Sequence, residues 1–156
     1  MSIQVGDVVD DFELPDQDGV PRRLSVLLAD GPVVLFFYPA ALSSGCTAEA
    51  CSFRDLGEEF RAAGAQRVGI SRDLPARQKQ FAEQNGFDYP LLSDPAYGVA
   101  SALGVKRRLP LGPLSTKRMT FVIDTDRRVL EIIHSEMNMD GHAARALEVV
   151  AARRAA

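Results

Sequence analysis

The sequence contains no tryptophan, and its 156 residues include only two cysteines and two histidines. So few soft ligands exclude a zinc ribbon or finger, which needs two close pairs. Neither histidine, His134 nor His142, lies near the cysteines in sequence. No stretch of ~18 apolar residues occurs, so no membrane span is expected. The opening segment MSIQVGDVVDDFELP lacks a basic stretch followed by an apolar one, the mark of a secretory signal. A cytoplasmic location is the expectation. Positive charge is not in excess: 18 Lys and Arg face 21 Asp and Glu, for a net charge of −3. That balance argues against nucleic acid or an anionic membrane surface as partner. There is no repeat, no low-complexity tract and no linker, which predicts a single domain over 1–156.

What is present is ordered by short apolar runs. DFELPDQDGVPRRLSV predicts an N-terminal β-hairpin turning at Asp18-Gly19, with Phe12, Leu14 and Leu24 in its flanks. VVLFFY (33–38) is an unbroken β-branched and aromatic run, as expected of a central strand buried on both faces. A helix is predicted over 46–63, where Ala50, Phe53, Leu56, Phe60 and Ala63 form one apolar stripe, with Gly64 as its stop. Strand 66–71, a helix capped by Asp73 and running from Pro75 to Asn85, an extended segment 89–94 and a short helix 96–104 follow. Residues 106–118 read as a basic loop. MTFVID and RVLEIIH are two strands joined by the turn Thr125-Asp126-Arg127, and 140–154 is a final helix. The order predicts an α/β fold of thioredoxin-like arrangement: a central mixed sheet covered by helices on both faces.

The two cysteines, Cys46 and Cys51, stand close together directly after the greasiest strand. In a reducing compartment such a pair points to catalysis, redox sensing or metal binding sooner than to a permanent cross-link. The spacing is not C-x-x-C, which weakens the metal reading and that of a disulfide oxidoreductase. Cys46 falls in the first turn of its helix, after the candidate caps Ser43 and Ser44. Free N–H groups and the positive end of the helix dipole favour a thiolate there. Five residues along a helix correspond to a rotation of ~140° and a rise of ~7.5 Å, so the two Cα atoms would stand ~8–9 Å apart. A disulfide needs them within ~7 Å. The pair therefore bonds only if the first turn or more unwinds.

The segment YPAALSSGCTAEAC resembles the active-site stretch of the peroxiredoxins, thiol peroxidases of thioredoxin-like fold. The family pattern of Pro, three residues, Thr or Ser, two residues and Cys is met by Pro39, Ser43 and Cys46. The second cysteine five positions on, followed by FRD, is similar to the peroxiredoxin Q, or bacterioferritin comigratory protein, group. GDVVDDFELPDQDG, YPLLSD and KRMTFVID extend the likeness over nearly the whole chain. The resemblance implies that Cys46 is the peroxidatic cysteine and Cys51 the resolving one. It implies that Arg118 contacts thiolate and peroxide, that the Ser43 hydroxyl hydrogen-bonds the peroxide, and that Pro39 shields the thiolate. It further implies a peroxide substrate, a thioredoxin-like reductant and no cofactor or metal. Ser43-Ser44 replaces the Thr-Pro usual in the group, which loosens the loop. A redox sensor or disulfide oxidoreductase using the same pair is the alternative. No exposed apolar stripe stands out, so a monomer is expected, with a homodimer as the alternative. Glu49 reads as a helix-start charge, and neither histidine is expected in the chemistry.

Overall fold

The computed structural model describes residues 3–111 and 114–156, with the side chains of Pro110, Leu111 and Leu114 left aside. A five-stranded mixed sheet forms its centre, in the order β5-β4-β3-β8-β9. Its strands are β3 (Val33–Phe37), β4 (Gln66–Ser71), β5 (Leu91–Ser93), β8 (Met119–Ile123) and β9 (Val129–His134). β3 pairs in parallel with β4 and antiparallel with β8, so it sits in the middle with a neighbour on each side.

This position explains the unbroken apolar run. Side chains alternate across a strand. Val34, Phe36 and Tyr38 enter one core, shared with Phe53, Phe60, Phe81, Ala143, Ala146 and Val150. Val33, Leu35 and Phe37 enter the other, shared with Leu24, Leu28, Val99 and Leu103. The first core lies under helices α2 (Ser44–Asp55), α3 (Gly57–Ala62), α4 (Pro75–Asn85) and α6 (Met139–Ala155). The second lies under α1 (Leu24–Leu27) and α5 (Gly98–Ala102). A strand covered on both faces has no polar side to show. The expected thioredoxin-like fold, with its sheet between two helical layers, is what forms. No helix among the described residues is long and apolar enough to cross a membrane.

The N-terminal hairpin is β1 (Glu13–Pro15) with β2 (Pro21–Arg23), and Gly19 turns it at φ 76°. Four expectations are corrected. First, Leu24 does not continue the hairpin but opens α1. Second, the helix expected over 46–63 is two helices, broken at Leu56 (φ −96°, ψ 18°). The apolar stripe runs through the break because both helices pack on the same core, so periodicity could not reveal it. Third, the expected loop 106–118 contains a separate two-stranded ribbon, β6 (Lys106–Leu111) with β7 (Leu114–Thr116). An isolated ribbon needs no apolar alternation, and Pro110 is tolerated because the strand is an edge. Residues 112 and 113 of that loop lie outside the described residues. Fourth, Asp73 does not cap α4, whose N-cap position is Leu74. Its Oδ2 instead accepts from the Ala41 amide at 2.7 Å and the Ser71 hydroxyl at 2.6 Å. Asp73 thereby ties the loop before α2 to the end of β4.

Candidate active site

The chain leaves β3 through Pro39, which is buried, and turns at Leu42, whose φ is 69°. Ser43 holds the N-cap position of α2 with φ −74° and ψ 153°, and no side-chain capping bond is made. Its hydroxyl points back along the loop and donates to the Ala40 carbonyl at 2.9 Å. The Ser43 carbonyl accepts from the Thr47 amide at 2.9 Å and the Thr47 hydroxyl at 2.7 Å. Cys46 is thus the third residue of a 12-residue helix, in the turn whose amides have no helical partner. It is only 1% exposed.

Arg118, immediately before β8, reaches this turn from beside the end of the neighbouring β3. Its Nη2 lies 3.5 Å from the Cys46 Sγ, and its Nη1 donates to Glu49 Oε1 at 3.1 Å. The Arg118 amide donates to Glu136 Oε2 at 3.1 Å. Burial opposes the guanidinium charge, but Glu49 and Cys46 beside it outweigh that and hold Arg118 above its ordinary value. A guanidinium is suited to this place because it keeps its charge and offers several donors in one plane. Cys46 and Arg118, 72 residues apart, are therefore brought together as expected.

Glu49 is a residue of the candidate site that the sequence reading missed. It is not an exposed helix-start charge; it is fully buried. Burial pushes its carboxyl up to about 8, against the pull of Arg118. Its second oxygen, Oε2, has no hydrogen-bond partner among the described residues and lies 3.6 Å from His142 Nε2. His142 is also fully buried, between the Thr120 hydroxyl at 2.8 Å from Nδ1 and the Ser135 carbonyl at 2.8 Å from Nε2. Burial depresses its basicity, so it is neutral. Because a carbonyl only accepts, Nε2 carries the proton and Nδ1 accepts from Thr120. The signal for Glu49 was its spacing: three residues after Cys46, it shares that helix face. His142 left no such signal, because its approach to Glu49 depends on how α6 crosses α2.

An expected result follows from the Glu49 carboxyl. Below about pH 8 it is neutral, and the full Arg118 charge faces Cys46. Above that, an anion competes with the sulfur for the same guanidinium. Above about pH 8, Glu49→Gln should therefore react with peroxide faster than the wild-type protein, and the two should converge below it. Stability follows the same proton. The folded value lies above the ordinary 4.5, so this contribution is complete below 4.5 and lost as pH rises to about 8. Denaturant titrations at several pH values should show a slope that Glu49→Gln flattens. An unchanged slope would mean that Glu49 is ionised throughout.

Cys51 is not brought to Cys46. It lies on a different side of α2, half-buried, with its Sγ 3.8 Å from Asn85 Oδ1 on α4. Both thiols are free.

The family model described as AhpC/TSA matches residues 5–132. Among solved structures, the crystal structure of peroxidoxin BcpB from Mycobacterium tuberculosis superposes with a TM-score of 0.91 at 62% identity, covering 96% of this chain and 97% of that one. Xanthomonas campestris bacterioferritin comigratory protein, whose structures concern alkyl peroxide reduction, gives a TM-score of 0.84 at 27% identity, with 92% of each chain covered. The chloroplastic peroxiredoxin Q of Triticum aestivum is 38% identical over 148 residues, 95% of this chain and 67% of the wheat protein. The likeness runs through β3, the turn that carries Cys46, and β8. This chain belongs to the AhpC/TSA family and is, by enzyme class, a peroxiredoxin of the kind to which peroxiredoxin Q and the bacterioferritin comigratory proteins are similar.

Proposed function

We propose that Cys46 is the peroxidatic cysteine of a thiol peroxidase that reduces hydrogen peroxide and organic hydroperoxides, with Cys51 as its resolving partner. The observation that carries this reading is the buried Cys46 sulfur 3.5 Å from the Arg118 guanidinium, in the first turn of a helix. The thiolate attacks the terminal oxygen of ROOH. The O–O bond breaks, Cys46 becomes a sulfenic acid, and RO⁻ leaves and takes a proton from water. Arg118 and the open amides of the turn stabilise charge on the departing oxygen. The Ser43 hydroxyl, released from the Ala40 carbonyl, orients the peroxide. Pro39 closes the site from the strand side. The Cys51 thiol then condenses with the sulfenic acid, forming a disulfide and water. A thioredoxin-like dithiol reduces that disulfide and returns both thiols. Organic hydroperoxides are included because the Xanthomonas relative is described by its alkyl peroxide reduction. A cytoplasmic setting, where such dithiols are kept reduced, suits the cycle.

Intact mass and thiol count after one equivalent of hydrogen peroxide test this. The expected result is loss of both thiols within seconds and of two hydrogens in mass. In Cys51→Ser the expected product is a sulfenic acid on Cys46. A wild-type protein that gains one oxygen and keeps one free thiol would remove Cys51 from the cycle. Two surviving thiols would remove Cys46 as well. Repeated turnover with a reductant present separates a peroxidase from a sensor, which reacts once.

A further inference from the structure

Between them, the two cysteines span the first two turns of α2, and one short segment leans on those turns at three heights. That segment is the start of α6. At the level of Cys46, the Met139 Cε lies over Gly45; a methyl group at Gly45 would stand only 3.3 Å from it. One turn on, His142 Nε2 faces Glu49 Oε2 at 3.6 Å. Next to Cys51, the Ser52 hydroxyl donates to the Asp140 carboxylate. The α6 start is itself fixed, because the Asn138 side chain accepts from the Gly141 amide at 3.0 Å and its own amide donates to the Ser135 hydroxyl. The Ser52 hydroxyl also lies 3.1 Å from the Ala48 carbonyl inside α2, but the other contacts join α2 only to α6. They are contacts that must be broken, or carried along, when α2 unwinds.

We infer that the first turn of α6 is a latch on α2, and that Asp140, through Ser52, is a positioning residue that sets how fast Cys51 reaches Cys46. The inference rests on the reading of Cys51 as the resolving thiol. Asp140 touches no reacting atom. It acts on the closed helix, so it governs the second step of the cycle and leaves the first alone. A slower second step leaves the sulfenic acid exposed to further peroxide for longer, so the same contact sets sensitivity to overoxidation.

Asp140→Ala removes the inter-helix contact while leaving the Ser52–Ala48 bond in place, and Ser52→Ala is read beside it. Alanine is a better helix former than serine, so a purely local effect would stiffen α2 and slow its opening. Loss of the latch would quicken it. The expected result is amide exchange over residues 44–52, and disulfide formation after a peroxide pulse, about fivefold faster, the factor that one ordinary hydrogen bond represents. The rate of sulfenic acid formation should stay within about twofold, since no group at the sulfur changes. Asp140→Ala should act in the same direction, and the double variant should add little to either single one. Less sulfinic acid should form at high peroxide. Slower or unchanged exchange in both variants would overturn the latch, as would an equal change in both chemical steps. If the wild-type protein forms no Cys46–Cys51 disulfide at all, the resolving role of Cys51 falls and the latch's role in resolution falls with it. That outcome is read before any variant is made, so the two failures are told apart.

Discussion

Cys46→Ser is expected to lower peroxide turnover by at least about 10⁴-fold, as removal of an attacking nucleophile does elsewhere. The reason is nucleophilicity. Sulfur is polarisable and attacks peroxide oxygen readily; a serine hydroxyl in the same place does not. The substitution is close to isosteric, so the first core, where Cys46 packs with Ala41, Ala50 and Phe53, should remain filled. The hydroxyl also leaves the Arg118 Nη2 a partner. Loss of activity with an unchanged melting temperature is therefore the expected pair of results. Peroxide consumption with excess dithiol measures the first and thermal unfolding the second. Residual turnover above about a hundredth of the wild-type rate would mean that another group attacks the peroxide.

Arg118→Met is expected to slow sulfenic acid formation by about 10²–10³-fold, the usual cost of removing one preorganised donor at developing negative charge. Two losses combine. The Cys46 sulfur loses its nearest cation, and the leaving oxygen loses a donor. Glu49 loses its hydrogen bond from Arg118, but burial already favours its neutral form, which limits the damage to the fold. Arg118→Lys should fall between the two proteins. A lysine offers one point charge where two guanidinium nitrogens in a fixed plane meet Glu49 Oε1 and Cys46 Sγ separately, at 3.1 and 3.5 Å. Stopped-flow rates at sub-equivalent peroxide would check the order wild type, Lys, Met. A loss smaller than about tenfold in Arg118→Met would mean that the helix turn alone sustains the chemistry.

The parts of this protein that could be read from sequence are those written in local patterns. The run VVLFFY announces a strand covered on both faces, and Asp18-Gly19 between apolar flanks announces a hairpin. The cysteine after a Ser-Ser-Gly loop announces a helix N-terminus. What stayed hidden depends on elements crossing in space. Glu49 looks like an ordinary surface acid until Arg118 and His142, 69 and 93 positions further along the chain, close over it. Asp73 looks like a helix cap because a proline follows two residues later. Only the path of the loop at Ala41 gives its carboxylate another use. The ribbon β6–β7 carries arginine, proline and leucine without alternation, so no period marks it as two strands. The division of one helix into α2 and α3 is invisible for the opposite reason: the pattern continues though the hydrogen bonding does not.

At that division, the guanidinium of Arg67 takes the place of a further helical turn. It donates to the Phe53 carbonyl at 2.9 Å and grips Asp88 through both nitrogens. Gly57 keeps the space clear, since a methyl group there would stand 3.1 Å from the Arg67 nitrogens. Phe53 lies flat on Phe36, with ring centroids 4.2 Å apart. Melting that starts at Ser44 thus meets a firebreak at Phe53, where a charged side chain from the sheet and a stacked ring hold the backbone independently of the turns before it. Cooperativity is divided at that point: the segment carrying both thiols can lose its helix while α3 and the sheet beneath keep theirs. In the proposed cycle, a protein of this size then passes through a partly unfolded state without approaching global unfolding.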